Sequence, residues 1–308
     1  LKGGSHTESD LRLLDDYRRS FGEAYETVVR TLRQRGEVPT GRLAKSTVSI
    51  AEKLRRESIR LSQMQDIAGC RIVVGNVVEQ EQLVASLKAD FPGASLIDRR
   101  DHPSHGYRAV HVIAEISGKP VEIQVRTSLQ HMWANLSEKS SDVLDPTIKY
   151  GGGPDEWRNR LGKLSESVAA YEKFEKIHAV AVAAYEKFEK THAVAVALNE
   201  VFEKSHSKAV SSHEVFEKAT AELLEHHLPE HEVEEIRGKL EDSRLRIEGL
   251  SGKLEDSRLR IEGLSGKLED SRLGRETSSK ELVALWNGNA DLLTGAITWL
   301  DKLKGQKQ

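Results

Sequence analysis

KPVEIQVRTSLQHMWANLSEK, residues 119–139, decides how this chain is read. Glu122, Gln124 and Arg126 recur at the two-residue spacing that places side chains on one face of a strand. Val121, Ile123 and Val125 then fall on the other face, in a core. A carboxylate, an amide and a guanidinium in a row present chemistry to a cleft. Upstream, QDIAGCRIVV (65–74) is a second strand pattern, with Asp66 ahead of the apolar run and Arg71 inside it. DHPSHGYRAVHVI (101–113) gives a third, in which Tyr107, Ala109 and His111 alternate with Arg108, Val110 and Val112. Singly, Asp66 reads as a solvated turn acid and Tyr107 as a half-buried strand aromatic. In combination the three strands offer two carboxylates, several cations and one aromatic.

Working outward, residues 9–35 carry the apolar stripe of one helix: Leu13, Leu14, Tyr17, Phe21, Tyr25, Val28, Val29 and Leu32. A second helix spans 46–60, with further helices near 79–90 and 128–140 and strands near 67–74, 94–99, 107–116 and 120–126. The short connection SGKP (117–120) predicts an antiparallel hairpin, which argues against a doubly wound parallel sheet. The expected fold class is α/β (α+β), a mixed sheet flanked by helices. YGGGPDE (150–156) reads as a loop, and its glycines lack the strand–loop–helix context and following Lys of a phosphate cradle.

The runs QDIAGCR, HGYRAVH, VEIQVRT and QHMWANLSEK, in that order, resemble the synthetase domain of RelA/SpoT-type (p)ppGpp synthetases. Those enzymes move pyrophosphate from ATP to the 3′-hydroxyl of a guanosine nucleotide. The resemblance covers roughly residues 10–175. It implies a nucleotidyltransferase-like synthetase domain, GTP pyrophosphokinase activity on ATP and GDP or GTP, and Mg2+ as cofactor. On this likeness Asp66 and Glu122 hold the metal and, with Arg71 and Gln124, form the catalytic group. Arg42, Lys45, Ser46, Lys53, Arg55 and Arg126 match the ATP site. Tyr107, His105, Arg108, His111, Asn135 and Lys139 match the surroundings of the acceptor nucleotide, Tyr107 at the place of a base-stacking tyrosine. The sequence departs from the family at two points. Arg42 stands three residues before Lys45, where the family often has an Arg two before its Lys, and His105 replaces the Asn of long members.

The residues suit this chemistry without the family name. Transfer of a phosphoryl-type group depends on positioning and charge neutralisation more than on covalent catalysis. Magnesium needs one or two carboxylates and takes its other ligands from phosphates and water, so Asp66 and Glu122 suffice. GRLAKSTVSIAEKLRRE (41–57) supplies cations for a triphosphate at and within a helix whose start, Ser46 to Ser49, suits an N-cap. Within the same fold, adenosine nucleotides or the 3′ end of tRNA are alternative acceptors. A catalytically silent interaction protein is the reading from another class.

Composition bounds the rest. The 308 residues carry a net charge of −3, no general polyanion-binding signature, so nucleic-acid contact is not expected beyond a possible tRNA acceptor. The lone cysteine, Cys70, forbids an internal disulfide and predicts a core position and a reducing, cytoplasmic setting. No run approaches the ~20 apolar residues of a membrane span, and LKGGSHTES at the start lacks a signal-peptide core. No adjacent His-Asp pair of the family's hydrolase domain occurs, so synthesis without alarmone hydrolysis is expected.

The last third is repetitive. From Tyr171, YEKFEKIHAVAVAA, YEKFEKTHAVAVAL, NEVFEKSHSKAVSS and HEVFEKATAELLEH repeat with a period of fourteen, two heptads. With Tyr171 at a, Phe174 falls at d, His178 at a and Ala181 at d, and the register runs on to Phe216. His178, His192 and His206 lie ~21 Å apart along a helix, so they read as polar layers and not as ligands of one ion. GKLEDSRLRIEGLS (238–251) repeats at 252–265 and begins again at 266, with Leu240, Ile247, Leu250, Leu254, Ile261, Leu264 and Leu268 at a and d and Ser243, Ser257 and Ser271 at the remaining d positions. The tail 280–305 places Leu282, Leu285, Trp286, Leu293, Ile297, Leu300 and Leu303 on one face, to cap the repeats or bind a partner. The expected division is a synthetase domain over 1–175, a coiled-coil helix over 170–228, a second repeat over 229–275 and an amphipathic helix over 276–308, with homo-oligomers forming through the C-terminal helices.

Overall fold

The computed structural model describes residues 7–224 and 230–306. The boundary expected at 228/229 and the first residues of LKGGSHTES lie outside them. The chain opens with α1 (Glu8–Arg19), whose start is fixed by a reciprocal cap between Thr7 and Asp10, and α2 (Gly22–Gln34). Sequence periodicity predicts one helix over 9–35, and the break between them is a correction. Ser20 Oγ donates back to the Tyr17 carbonyl at 2.7 Å, and Phe21 is fully buried edge-on to Tyr17. The change of direction leaves Leu13 66% exposed, outside the expected stripe, while Leu14, Val28, Val29 and Leu32 enter the core.

Five strands follow: β1 (Thr40–Arg42), β2 (Ala68–Val74), β3 (Ser95–Asp98), β4 (Val110–Ile116) and β5 (Lys119–Thr127). They form a sheet in the order β1-β2-β5-β4-β3, with β2 and β5 parallel and every other pair antiparallel. The mixed sheet matches the expected class. The β4–β5 hairpin turns on Ser117 and Gly118, both at positive φ, as a two-residue turn requires. β1 has no counterpart in the sequence reading, because three residues are too few to show a period. Glycines let it pair closely: a Cβ on Gly41 would lie 2.5 Å from the Gly69 carbonyl oxygen. The strand expected over 107–116 starts at Val110. Ahead of it, Ser104 and Tyr107 close a tight turn with His105 and Gly106 at positive φ.

Helix α3 (Thr47–Glu57) is capped by Ser46, whose Oγ accepts from the Ser49 amide at 3.2 Å. Two helices, α4 (Val77–Asp90) and α5 (Ser128–Val143), follow the two parallel strands directly. Phe21, Leu32, Ile50, Ile67, Leu87 and Ile123 form the main core, and Cys70 sits within it. Burial, helped by the neighbouring Glu122 charge, pushes the Cys70 thiol up to about 12, so it is an inert core residue, as expected.

The remainder is α6 (Asp155–Leu224) and α7 (Glu230–Gln306). The chain divides into two compact units, Leu1–Ile177 with Glu281–Gln308, and His178–Lys280. The first differs from the division at residue 175, because the tail belongs with it. Leu293 and Leu300 are fully buried in a second core with Leu129, Trp133, Leu136 and Leu161, Trp299 stacks on Trp157, and Asn289 accepts from Ser167 at 2.7 Å. The tail's face is therefore used here, except for Leu285, which is exposed.

In the second unit, segments of α6 and α7 run antiparallel in a matched register. His178, His192 and His206 pair with Ser279, Ser265 and Ser251 at 3.0, 3.0 and 2.9 Å. Because both arrays have a period of fourteen, each rung repeats the one before. The histidines are polar layers, as expected. The d positions differ: Phe188 and Phe202 are exposed, and Val182, Val196 and Val210 are half-buried in their place. The histidine–serine rungs centre the contact on the a/e edge of α6 and turn its d side outward. The side chain of Phe216 lies outside the described residues. On α7 the expected positions are half-buried apart from Leu250 and Ser271.

Candidate active site

A cleft of about 570 Å³ opens where β1, β2 and β5 face α3. The face of β5 read from the sequence lines it, and a closed ring of hydrogen bonds links its side chains. The Arg126 guanidinium donates to Gln124 Oε1 at 2.9 Å and to the Tyr107 hydroxyl at 3.0 Å. Gln124 Nε2 donates to Glu122 Oε2 at 2.8 Å. On the other side, the Tyr107 hydroxyl lies 2.9 Å from His111 Nε2, and His111 Nδ1 lies 2.7 Å from Glu122 Oε1. Arg126 can only donate, so the Tyr107 hydroxyl accepts from it. His111 bridges the Tyr107 hydroxyl and the Glu122 carboxylate through its two ring nitrogens. The ring exists because β4 pairs with β5 so that His111 lies opposite Gln124.

Burial alone would raise the Glu122 carboxyl. The bonds from His111 and Gln124 outweigh it and hold Glu122 below the ordinary carboxylate value, although the Asp66 charge opposes them. Asp66 has its own cations. Lys45 Nζ is 2.6 Å from one oxygen and Lys53 Nζ 3.0 Å from the other. Burial again pushes upward, and the two ammonium groups bring Asp66 below its usual range. Lys45 is held in turn by its amide bond to the Ile67 carbonyl and by Arg18, which donates to the Lys45 carbonyl.

The cleft is short of anions. Arg126 is 3% exposed, and its Nε and Nη1, together with Arg71 Nε, are buried without a hydrogen-bond partner among the described residues. Burial and the nearness of Arg126 lower the Arg71 pKa, and burial with both arginines lowers that of His131. Unmet buried guanidinium donors are costly unless a ligand supplies acceptors. Oxygen-rich anions such as phosphates fit that need.

The structure brings Arg42, Lys45, Lys53, Asp66, Arg71, Glu122, Gln124 and Arg126 to this cleft. Tyr107 and His111 close the ring behind it. The other expected site residues have different contacts. Arg55 is exposed, and Ser46 caps α3. The His105 ring rests against Gly151, where a Cβ would lie 2.2 Å from Nδ1. Arg108 donates to Ser165 Oγ and the Arg100 carbonyl, Lys139 pairs with Asp301 at 2.5 Å, and Asn135 bonds His131. The Tyr107 ring lies 4.9 Å from the Arg126 guanidinium, so one partner for its π system is already present.

Arg56, one of the cations of segment 41–57, also lines the cleft, and sequence reasoning missed Glu138, Asp142, Lys149 and Tyr150 beside it. Glu138 and Asp142 share one face of α5 at a four-residue spacing, a signal available but not used. Tyr150 sits just before the triple glycine, in a 3-10 turn over Ile148–Tyr150, with the Arg56 guanidinium 3.8 Å above its ring. Among the described residues no group of three or more His, Cys, Asp or Glu is placed to hold a metal. Two carboxylates in one cleft still suit a magnesium ion that shares its shell with phosphates.

The segment that builds this cleft is similar to known proteins. Residues 41–141 match the profile described as "Region found in RelA / SpoT proteins". "Uncharacterized protein Rv1366" of Mycobacterium tuberculosis is 41% identical over 117 residues, 37% of this chain and 43% of that one. "Probable GTP diphosphokinase RSH2, chloroplastic" of Arabidopsis thaliana is 30% identical over 145 residues, 44% of this chain and 20% of the plant protein. The chain thus spans less than half the length of these relatives. The crystal structure of small alarmone synthetase 1 from Bacillus subtilis bound to its product pppGpp superposes with a TM-score of 0.41 and 28% identity, covering 56% of this chain and 98% of that one. The cleft residues from Arg42 to Arg126 lie inside the matched region, so the chain carries a region of the kind found in RelA/SpoT proteins.

Proposed function

We propose that this protein transfers pyrophosphate from ATP to the 3′-hydroxyl of GDP or GTP, forming (p)ppGpp and AMP. The observation that carries the reading is the pairing, in one cleft, of a cation-held carboxylate, Asp66, with a ring-held carboxylate, Glu122, beside guanidinium donors that lack partners. The name of the Arabidopsis relative supports the same chemistry. In the reaction the acceptor 3′-oxygen attacks the β-phosphorus of ATP, the bond from that phosphorus to the α–β bridging oxygen breaks, and AMP leaves. Glu122 takes the hydroxyl proton; ionised by its His111 and Gln124 bonds, it is ready to accept it. Arg42, Lys45, Lys53, Arg71 and Arg126 neutralise the phosphates. Asp66 and Glu122 would hold Mg2+, which when bound supplies charge neutralisation to the transferring group. Lys45 and Lys53, which share Asp66 in this structure, then serve the phosphates. Incubation with ATP labelled in its β-phosphate and with GDP, GTP, an adenosine nucleotide or tRNA tests the assignment. Label should pass to the guanosine nucleotides, and exclusive labelling of another acceptor would replace the substrate half of the reading.

The partner is a second copy of this chain, and the setting the cytoplasm. The segments HAVAVAA (178–184) and HAVAVAL (192–198) are apolar nearly all round, a pattern of helices covered on every side. Within the second unit Val180, Phe188, Val194, Leu198, Val201 and Phe202 are nevertheless exposed. They offer on the order of 700 Å² per copy, close to the ~800 Å² per partner of a stable interface. The fourteen-residue period lets an antiparallel copy pair like with like about a two-fold axis. No described helix is long and apolar enough to cross a membrane.

A further inference from the structure

Behind the cleft lies a buried polar cluster that the proposed chemistry leaves unused. Glu172, 7% exposed, belongs to the first YEKFEK copy and accepts from Thr127 Oγ1 at 2.7 Å and Gln130 Nε2 at 2.8 Å. Thr127 is the last residue of β5 and the N-cap of α5: its Oγ1 accepts from the Gln130 amide, and its own amide donates to Gln130 Oε1, each at 3.2 Å. Fully buried Gln80, on α4, donates to Gln130 Oε1 at 2.9 Å and to the Val125 carbonyl at 2.8 Å. The turn where β5 becomes α5 is thus pinned on both sides of Arg126. One helical turn further, Glu175 accepts from the Val77 amide at the start of α4 and from the Tyr171 hydroxyl, and Lys176 pairs with Glu81. A single stretch of α6, residues 171–176, grips the starts of both helices that follow the parallel strands.

A buried carboxylate is an expensive way to fill that space. Burial drives the Glu172 carboxyl upward against its bonds to Thr127 and Gln130. An apolar side chain would avoid the cost of desolvation but would leave the Thr127 hydroxyl and Gln130 amide without an acceptor. What the carboxylate gives in return is a fixed position for Thr127 and, through the peptide bond, for Arg126. We infer that Glu172 is a positioning residue for pyrophosphate transfer, setting the Arg126 guanidinium through the Thr127 cap. The downstream repeat shows that sequence alone does not confer this role. Glu186, at the same place in the second YEKFEK copy, is exposed.

The inference rests on the pyrophosphate-transfer reading, and its test separates the two. In the full chain, Glu172→Ala and Thr127→Val are compared with Glu172→Gln and with Glu186→Ala as a control, by kcat, by KM for ATP and by calorimetric binding of inorganic pyrophosphate. Displacing a phosphate-holding group by ~1 Å costs up to ~100-fold in rate, so Glu172→Ala and Thr127→Val should lose at least ~10-fold in kcat. Glu172→Gln, whose amide oxygen accepts the same two bonds, should stay within ~3-fold of wild type, and Glu186→Ala should change nothing. Should the wild-type protein turn over no acceptor, the transfer reading fails. Weaker pyrophosphate binding in Glu172→Ala, rescued in Glu172→Gln, would then still uphold the positioning role. Either variant, Glu172→Ala or Thr127→Val, folded by circular dichroism and with rate and pyrophosphate binding unchanged, overturns the inference.

Discussion

Two carboxylates in this cleft are held below their ordinary range by different partners, Asp66 by paired ammonium groups and Glu122 by His111 and Gln124, and each arrangement predicts its own failure. Asp66→Asn or Glu122→Gln should keep the fold, seen by circular dichroism, and lose at least ~100-fold in turnover. Tyr107 is a sharper test of the ring. A tyrosine that only stacks on a base tolerates loss of its hydroxyl. Here that hydroxyl joins Arg126 to His111, so Tyr107→Phe should cost ~1–3 kcal/mol of stability by urea unfolding and also slow the reaction. Glu172 gives a pH signature. Its folded pKa is raised above the unfolded value of about 4.3, so the native state holds its proton longer and stability falls as pH rises from there through the folded value. Glu172→Gln removes that slope: its melting temperature should fall less than that of wild type between about pH 4 and 7. Glu122, Gln124 and Arg126 were legible in the sequence because a strand has a period of two. The ring they join was not, since it depends on the pairing of β4 with β5, and pairing register is not written in either strand alone.

Among the elements, the long strongly patterned ones were readable and the short ones were not. Strand β2, strand β5 and helix α5 follow from their apolar periods, whereas β1 and the break between α1 and α2 depend on what packs beside them. In the second repeat the glycines can be judged directly. Gly249 and Gly263 lie within α7, and a Cβ at either place meets nothing within 4 Å. Gly249→Ala and Gly263→Ala should therefore each stabilise the helix by up to ~1 kcal/mol, measured as a rise in thermal midpoint. The histidine–serine rungs explain why the contact face of α6 turned away from the expected d positions. A heptad pattern fixes which residues share a stripe, but the partner helix chooses which edge of it to cover.

At the scale of the molecule, the sequence pattern over 276–308 reads as a separate amphipathic helix, yet its Leu293 and Leu300 complete the core beneath α5. Amphipathic sequence shows that a face will be covered and is silent on what covers it. Replacing Phe188 and Phe202 together by Glu should reduce the mass per particle by light scattering and leave the chemical step within ~3-fold, if that exposed face joins copies of the chain. The central claim is the transfer itself. It is tested most directly by full-length protein with Mg2+, ATP labelled in the β-phosphate and GDP or GTP, followed by separation of the nucleotides. The account predicts label on the 3′ position of the guanosine nucleotide, one AMP per transfer, and no labelled product from folded Glu122→Gln. Label that stays in ATP with every guanosine acceptor, or an undiminished rate in Glu122→Gln, would contradict it.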